Sequence, residues 1–211
     1  MKLKVLDSRF TDTFFLAWTT TPWTLPGNVA LAMHPEIDYV LVEQNKEKYI
    51  LAKQRLEILD GDYKILKTFK GKDLVGLRYE PLFDSLANLK IKNIANAFQI
   101  LPADFVSVEE GTGIVHTAMM YGDDDFQLGK KFNLPFYHTV DQQGLFKEEV
   151  SQWAGQFVKK AEPAIIEDLA QRGLLYKKEK IIHTYPFCWR CDTSLLYYAL
   201  KSWYVAVVKF K

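Results

Sequence analysis

The chain has 211 residues, a formal net charge of +1 and a hydrophobic content of 48%. That length is enough for one or two domains with a sizeable core, and the near-zero charge excludes a globally basic surface that attracts nucleic acid. No apolar run reaches the roughly 20 residues of a membrane-spanning helix, and the first residues show no secretory signal, so we expect no membrane partner.

Most of the predicted elements are strands. Alternation and β-branched or aromatic content predict strands over 13–19, 29–33, 39–43, 48–52, 63–69, 105–108 and 113–118. Helices are predicted over 53–59, from the three aspartates at 123–125 to Phe132, and over 162–172 with Pro163 in the first turn. Many short strands and few helices predict an α+β, mainly β fold, a closed or nearly closed β-barrel with peripheral helices.

The chain changes character at about residue 177. A knuckle-like turn over 185–192 is followed by an aromatic-rich stretch, 195–208, that has little of its own to pack against. We therefore expect one domain over 1–176 and a return segment over 177–211 that leads toward another part of a longer protein.

The two cysteines, Cys188 and Cys191, have the C-x-x-C spacing of metal or redox sites in a reducing compartment, which indicates the cytoplasm. A tetrahedral zinc site needs four ligands, and His183 is the only other candidate nearby. We therefore expect weak zinc binding or none unless further ligands come from outside this chain. A redox role is less favoured because no βαβ pattern surrounds the pair.

A polar turn over 18–28 is the most informative stretch. It contains four threonines, two tryptophans and an asparagine, while Pro22 and Pro26 exclude a regular helix or central strand. A rigid turn with neutral hydrogen-bonding side chains suits a pocket for a polar ligand. Taken alone, it is more simply interpreted as a threonine-rich edge strand that ends in a proline turn.

A second group of polar residues follows the last predicted strand. This strand carries His116 at its end, and a loop leads from there into a helix whose first turn holds Asp123, Asp124 and Asp125. Taken alone, His116 is more often a structural histidine, and the aspartates are more often a solvated helix cap.

Together, these segments resemble the editing domain of isoleucyl-tRNA synthetase, the insertion called connective polypeptide 1. The resemblance covers nearly the whole chain and rests on five motifs in the family's order: Thr19-Thr20-Thr21-Pro22-Trp23-Thr24-Leu25-Pro26 with Asn28, then GTGIVHTA from Gly111, YGDDDF from Tyr121, DQQGLF from Asp141 and CWRC from Cys188. The related valyl and leucyl enzymes have an arginine in the threonine motif, so this version favours the isoleucyl type. The chain departs from the family at Met119, where the family has a proline.

The resemblance implies a site that hydrolyses valine wrongly esterified to tRNA(Ile), and it allows valyl-adenylate as a second substrate. Asp125 would be a catalytic and substrate-binding residue that holds the α-ammonium group of the amino acid. His116, Thr19 and Thr21 would form a wall that admits valine and excludes isoleucine.

The same resemblance implies that water, rather than a covalent nucleophile, attacks the ester. Thr20 and Thr24 would hold the terminal adenosine and the water, and the catalytic amide of Asn28 would help to position that water. Trp23 would stack on or enclose the nucleoside, with a plain core tryptophan as the alternative.

By resemblance, the partners are the 3′ end of tRNA(Ile) carrying valine, and the Rossmann catalytic core and anticodon-binding domain of the synthetase. The editing reaction needs no cofactor. Two alternatives stay open: an editing domain of the valyl type, and a non-catalytic tRNA-binding or spacer module. The near-neutral charge and the Met119-Met120 departure are the observations that favour the second alternative.

Overall fold

The structure is a computed structural model that describes residues 1–150, 152–179, 185–205 and 207–210. Within these ranges the strands are β1 (Lys2–Lys4), β2 (Thr13–Leu16), β3 (Ala30–Met33), β4 (Asp38–Gln44), β5 (Glu47–Ala52), β6 (Lys64–Lys70), β7 (Ile100–Pro102) and β8 (Ile114–Thr117). The α-helices are α1 (Asp123–Lys131) and α2 (Val158–Gln171), and short 3-10 helices include Pro22–Gly27 and Lys53–Ile58.

The strands form two sheets, which confirms the α+β, mainly β fold class. The five-stranded sheet has the order β1-β2-β5-β4-β6, and the three-stranded sheet has the order β7-β3-β8. Most neighbours are antiparallel, whereas β2 with β5 and β3 with β7 are parallel. Isolated bridges link the two sheets: Trp18 pairs with Val115, and the segment 78–79 pairs with Val5 through Tyr79 and with Gln99 through Arg78.

The core lies between the sheets and helix α2. All four residues of β3 are buried. Helix α2 buries one apolar stripe at helical spacing, made of Val158, Ala161, Ile165 and Leu169. The same helix contacts the 3-10 helix Pro22–Gly27. The polar turn is therefore held between the strand that follows it and a helix from the far end of the domain.

The predicted strands are confirmed except for 105–108. Those residues form a turn, in which the Val106 N–H donates to the Ala103 carbonyl (3.4 Å). The chain pairs a few residues earlier instead, where Ile100 lies opposite Leu31 in the parallel ladder of β7 and β3. The sequence analysis missed β1 and β7 because each is only three residues long.

The helices differ from the prediction mainly at their ends. Helix α1 is confirmed, and the predicted helix 53–59 is a 3-10 segment that is interrupted at Arg55. The Arg55 guanidinium donates to the Gly111 carbonyl (2.8 Å). Helix α2 begins at Val158, so Pro163 lies inside it rather than in its first turn. Within the described ranges, no helix combines the length and apolar character needed to cross a bilayer.

The described part of the return segment contacts the domain at several places, and Tyr198 makes one of these contacts. The Tyr198 hydroxyl donates to the Val140 carbonyl (3.1 Å), and the Tyr198 ring stacks on His138 with 4.2 Å between ring centroids. In contrast, Trp203 and Tyr204 are 101% and 91% exposed. Tyr198 therefore anchors the segment against residues 138–140, while the aromatic side chains of Trp203 and Tyr204 are uncovered.

Gly71 offers a test of the packing between β6 and the end of β3. A Cβ at this position would lie 2.1 Å from the His34 carbonyl oxygen. We expect Gly71→Ala to lower the free energy of unfolding by about 1–3 kcal/mol, because the backbone must shift to relieve the overlap. Urea denaturation measures this, with Lys72→Ala in the same turn as the control. Equal stability of the two variants would contradict the close approach.

Candidate active site

The polar turn brings three of its threonine hydroxyls into a row. The Oγ1 atoms of Thr19 and Thr21 are 3.3 Å apart, and those of Thr21 and Thr24 are 3.2 Å apart. Thr19 and Thr21 are half-buried, whereas Thr24 is buried. The Thr24 hydroxyl also donates to the Thr21 carbonyl (2.8 Å). The row therefore runs from the surface of the turn into the interior.

His116 continues this row into the core. Its Nε2 lies 3.0 Å from Thr24 Oγ1, and its Nδ1 lies 2.8 Å from Asn28 Nδ2. Strand β8 runs antiparallel to β3, so the start of β3 and His116 come to lie side by side. The structure thus brings together five residues that the sequence analysis selected: Thr19, Thr21, Thr24, Asn28 and His116.

The imidazole of His116 is neutral. Burial lowers its pKa from 6.5 to about 3, against a smaller opposite contribution from its hydrogen bond to Thr24. A group with so low a pKa is a poor proton acceptor at neutral pH. His116 is therefore an uncharged hydrogen-bonding group.

Asp125 lies in the first turn of α1 and is half-buried. Burial raises the pKa of its carboxyl from 3.8 to about 7, and the nearby charge of Asp124 adds to this, while the Ala118 N–H that donates to Oδ2 (3.4 Å) opposes it. Among the described residues, no lysine or arginine forms an ion pair with Asp125. Such a carboxyl is a candidate functional group, because a nearby cation would favour its ionised form.

The loop between His116 and Asp125 is anchored by its methionines. Met119 and Met120 are 4% and 2% exposed. The Met119 side chain fills the groove that Gly129 leaves in α1, since a Cβ on Gly129 would lie 2.5 Å from the Met119 sulfur. The side chain thus fixes the loop at the position where the resemblance predicts a proline. The sequence analysis missed Gly129, although a glycine within a helical pattern is a signal for close packing.

Three other predicted site residues have different surroundings. Thr20 is exposed, so its hydroxyl is accessible to a ligand. Trp23 is 2% exposed, and its ring centroid is 4.9 Å from that of Tyr121, which favours the interpretation as a core residue. Asn28 is 4% exposed, and its amide contacts protein groups, donating to Ala30 O (2.9 Å) and accepting from the Tyr79 hydroxyl (2.7 Å). The geometry of the Asn28 amide suits the positioning of His116 better than a direct contact with a ligand.

A cavity of about 320 Å³ opens beside the turn. Its lining includes Thr19, Thr20 and Lys177 but neither His116 nor Asp125. The turn therefore faces two neighbourhoods, this cavity on the side of Thr20 and the buried imidazole on the side of Thr24.

The cysteine pair offers two metal ligands. Cys188 and Cys191 are free thiols in a turn closed by the Cys188 N–H donating to the Thr193 carbonyl (2.8 Å). Hydrogen bonds from Thr193 lower the pKa of the Cys191 thiol. His183, the further ligand considered above, lies outside the described residues. In the described part of the chain, no three potential ligands are grouped to hold a metal ion.

Asp125 predicts a pH dependence of stability. Because its folded-state pKa of about 7 exceeds the ordinary 3.8, the folded protein binds more protons than the unfolded chain between these values. The free energy of unfolding therefore falls as the pH rises through this window. Asp125→Asn keeps the shape and removes the ionisation, so we expect it to gain stability relative to the unsubstituted chain at about pH 8 but not at about pH 4. Urea denaturation at both pH values, with exposed Asp123→Asn as the control, measures this. The prediction is refuted if the free energy of unfolding changes between the two pH values by the same amount in the Asp125 variant and in the unsubstituted chain.

Curated relatives identify the family. The chain is 52% identical over 199 residues to the isoleucine–tRNA ligase of Clostridium novyi (strain NT), and 45% identical over 212 residues to that of Bacillus thuringiensis (strain Al Hakam). These matches cover 94% and 100% of this chain but 19% and 20% of the relatives. The chain therefore spans about a fifth of their length. No protein-family model matches the chain.

Solved structures show the same fold. The crystal structure of GlLeuRS-CP1 matches with a TM-score of 0.64 and 15% identity, over 85% of this chain and 98% of that one. The P. knowlesi cytosolic leucyl-tRNA synthetase editing domain matches with a TM-score of 0.57 and 14% identity, over 94% and 95% of the two chains. The chain thus belongs to the isoleucyl-tRNA synthetase family, as the segment that has the fold of a connective polypeptide 1 editing domain.

Proposed function

We propose that this segment is the editing domain of an isoleucyl-tRNA synthetase and that it hydrolyses valine wrongly esterified to tRNA(Ile). The observation that carries the proposal is Asp125, a half-buried carboxylate with no cationic partner among the described residues. An aminoacyl ester has one group of the required charge, its α-ammonium. Binding of that cation would restore the ionised carboxylate and offset the unfavourable burial.

A synthetase for isoleucine needs such a site. Valine and isoleucine differ by one methylene, which a hydrophobic pocket distinguishes by only about 1–3 kcal/mol. A second site that is too small for the correct amino acid can then remove the wrong one. We propose that His116, with the hydroxyls of Thr19 and Thr21, forms the wall that excludes the extra methylene.

The chemistry is water attack on an activated ester. The neutral imidazole of His116 is not a suitable general base, and the described thiols lie on the return segment. The site therefore acts by positioning and by hydrogen bonding to developing charge. We propose that the hydroxyls of Thr20 and Thr24 bind the ribose and the attacking water. The amide of Asn28 would orient the imidazole of His116. Trp23 supports this turn from the core.

The partners follow from the same proposal. The 3′ end of tRNA(Ile) carrying valine is the substrate, and the rest of the synthetase, with its Rossmann catalytic core and anticodon-binding domain, is the physical partner. We assign 1–176 to the editing domain and 177–211 to the return toward the catalytic core. Cys188 and Cys191 would hold zinc only with ligands from that remainder, and the reduced thiols accord with a cytoplasmic protein.

Asp125→Ala is expected to abolish deacylation of Val-tRNA(Ile), because it removes the anchor for the ammonium group. The rate of release of labelled valine from preformed Val-tRNA(Ile) measures this. Asp124→Ala, at the exposed neighbouring position of α1, is the matched control and should retain the rate. An unchanged rate in the Asp125 variant would remove this residue from the site, and no hydrolysis by the unsubstituted chain at high concentration would favour a non-catalytic module.

His116→Ala is expected to enlarge the site and to permit hydrolysis of correct Ile-tRNA(Ile). The ratio of the deacylation rates for Val-tRNA(Ile) and Ile-tRNA(Ile) should fall by about tenfold or more, the scale of one methylene. His34→Ala is the control, since His34 is half-buried at the end of β3, away from the threonine row. If the ratio stays constant while the variant remains folded, His116 is a structural residue.

A further inference from the structure

We infer that Tyr79 is a positioning residue of the site, which acts through Asn28 to hold the His116 imidazole as the tautomer protonated at Nε2. No motif in the sequence pointed to Tyr79, which lies between β6 and β7. The consequence for selectivity rests on the proposed function, whereas the tautomer itself does not.

Tyr79 is placed rigidly. It is 1% exposed, its N–H donates to the Phe98 carbonyl (3.1 Å), and its ring meets that of Phe98 edge to face, with 6.3 Å between centroids. Its hydroxyl lies 2.7 Å from Asn28 Oδ1, an atom that can only accept. The tyrosine is therefore the donor, and this bond acts together with the Ala30 carbonyl at the other end of the Asn28 amide to fix the orientation of that amide.

The orientation of the amide fixes the tautomer of the histidine. With Oδ1 bound to Tyr79, Asn28 Nδ2 faces the Ala30 carbonyl at 2.9 Å and His116 Nδ1 at 2.8 Å. An amide nitrogen donates and does not accept, so His116 Nδ1 must be the acceptor and carries no hydrogen. A neutral imidazole has one N–H, which therefore lies on Nε2.

The tautomer in turn sets the direction of the hydroxyls. His116 Nε2–H donates to Thr24 Oγ1 (3.0 Å), and the Thr24 hydroxyl can then donate to the Thr21 carbonyl (2.8 Å). With the opposite tautomer, Nε2 would take the Thr24 hydrogen, and this carbonyl would lose its donor. A chain of hydrogen bonds thus connects buried Tyr79, through Asn28, His116 and Thr24, to half-buried Thr21 in the proposed wall of the site.

Another buried tyrosine provides a matched control. Tyr39 is 0% exposed, and its hydroxyl donates to the Gly113 carbonyl at 2.7 Å. Tyr39→Phe and Tyr79→Phe therefore each remove one buried hydroxyl that donates a hydrogen bond of 2.7 Å, and the Tyr39 hydroxyl also accepts from the His34 N–H (3.1 Å). Only the second touches the amide that contacts His116.

The first test is the ¹⁵N spectrum of the histidine rings in the 211-residue chain, with His116 assigned by its loss in His116→Gln. We expect protonated Nε2 and unprotonated Nδ1 in the unsubstituted chain, a mixture of tautomers in Tyr79→Phe, and an unchanged spectrum in Tyr39→Phe. Protonated Nδ1 in the unsubstituted chain would overturn the inference without any variant. An unchanged tautomer in folded Tyr79→Phe would overturn it as well.

The second test measures selectivity. In Tyr79→Phe, the ratio of kcat/KM for Val-tRNA(Ile) to that for Ile-tRNA(Ile) should fall by about tenfold, with KM for Val-tRNA(Ile) little changed. Tyr39→Phe should keep the ratio. A constant ratio together with a shifted tautomer would overturn the assignment to selectivity. Absence of deacylation in every protein, with the expected spectra, would reject the proposed function and leave the positioning of His116 supported.

Discussion

The candidate site depends on the hydrogen bonds that the buried imidazole of His116 makes. The imidazole joins two segments that are remote in the sequence: β8 and the polar turn, which it contacts through both Thr24 and Asn28. The antiparallel pairing of β8 with β3 brings these segments together, and α2 supports the turn from behind. The interaction requires a neutral ring, which burial provides. Sheet topology and the ionisation state of one side chain are therefore linked.

Burial shifts the pKa values of His116 and Asp125 in opposite directions and favours the neutral form of each. The consequences differ because their surroundings differ. His116 has protein partners on both ring nitrogens, so the hydrogen-bonding capacity of the neutral ring is satisfied within the protein. Asp125 has one long hydrogen bond from Ala118, so its carboxyl can change state when a cation arrives. His116 is thus fixed and uncharged, whereas the charge of Asp125 can change.

Local patterns predicted the strands that alternate clearly and the helix that begins with three aspartates, as well as the residues now grouped around His116. Local sequence patterns carry no information about contacts between distant segments, and this explains the elements and contacts that the sequence analysis missed. Strand β7 forms because Ile100 meets Leu31 in a parallel ladder, not because of its own composition. Tyr79 contacts Asn28 across 51 positions, and Gly129 was overlooked because its partner Met119 belongs to a different element.

The fit of Met119 against Gly129 means that the loop after β8 and helix α1 form one exchangeable unit. A proline at position 119, as in the family's usual motif, would stiffen the loop yet leave a void beside the glycine, with the packing loss that such voids carry. A larger residue at position 129 would displace the methionine. Chimaeras that swap this loop between synthetases should therefore carry the first two turns of the helix with it.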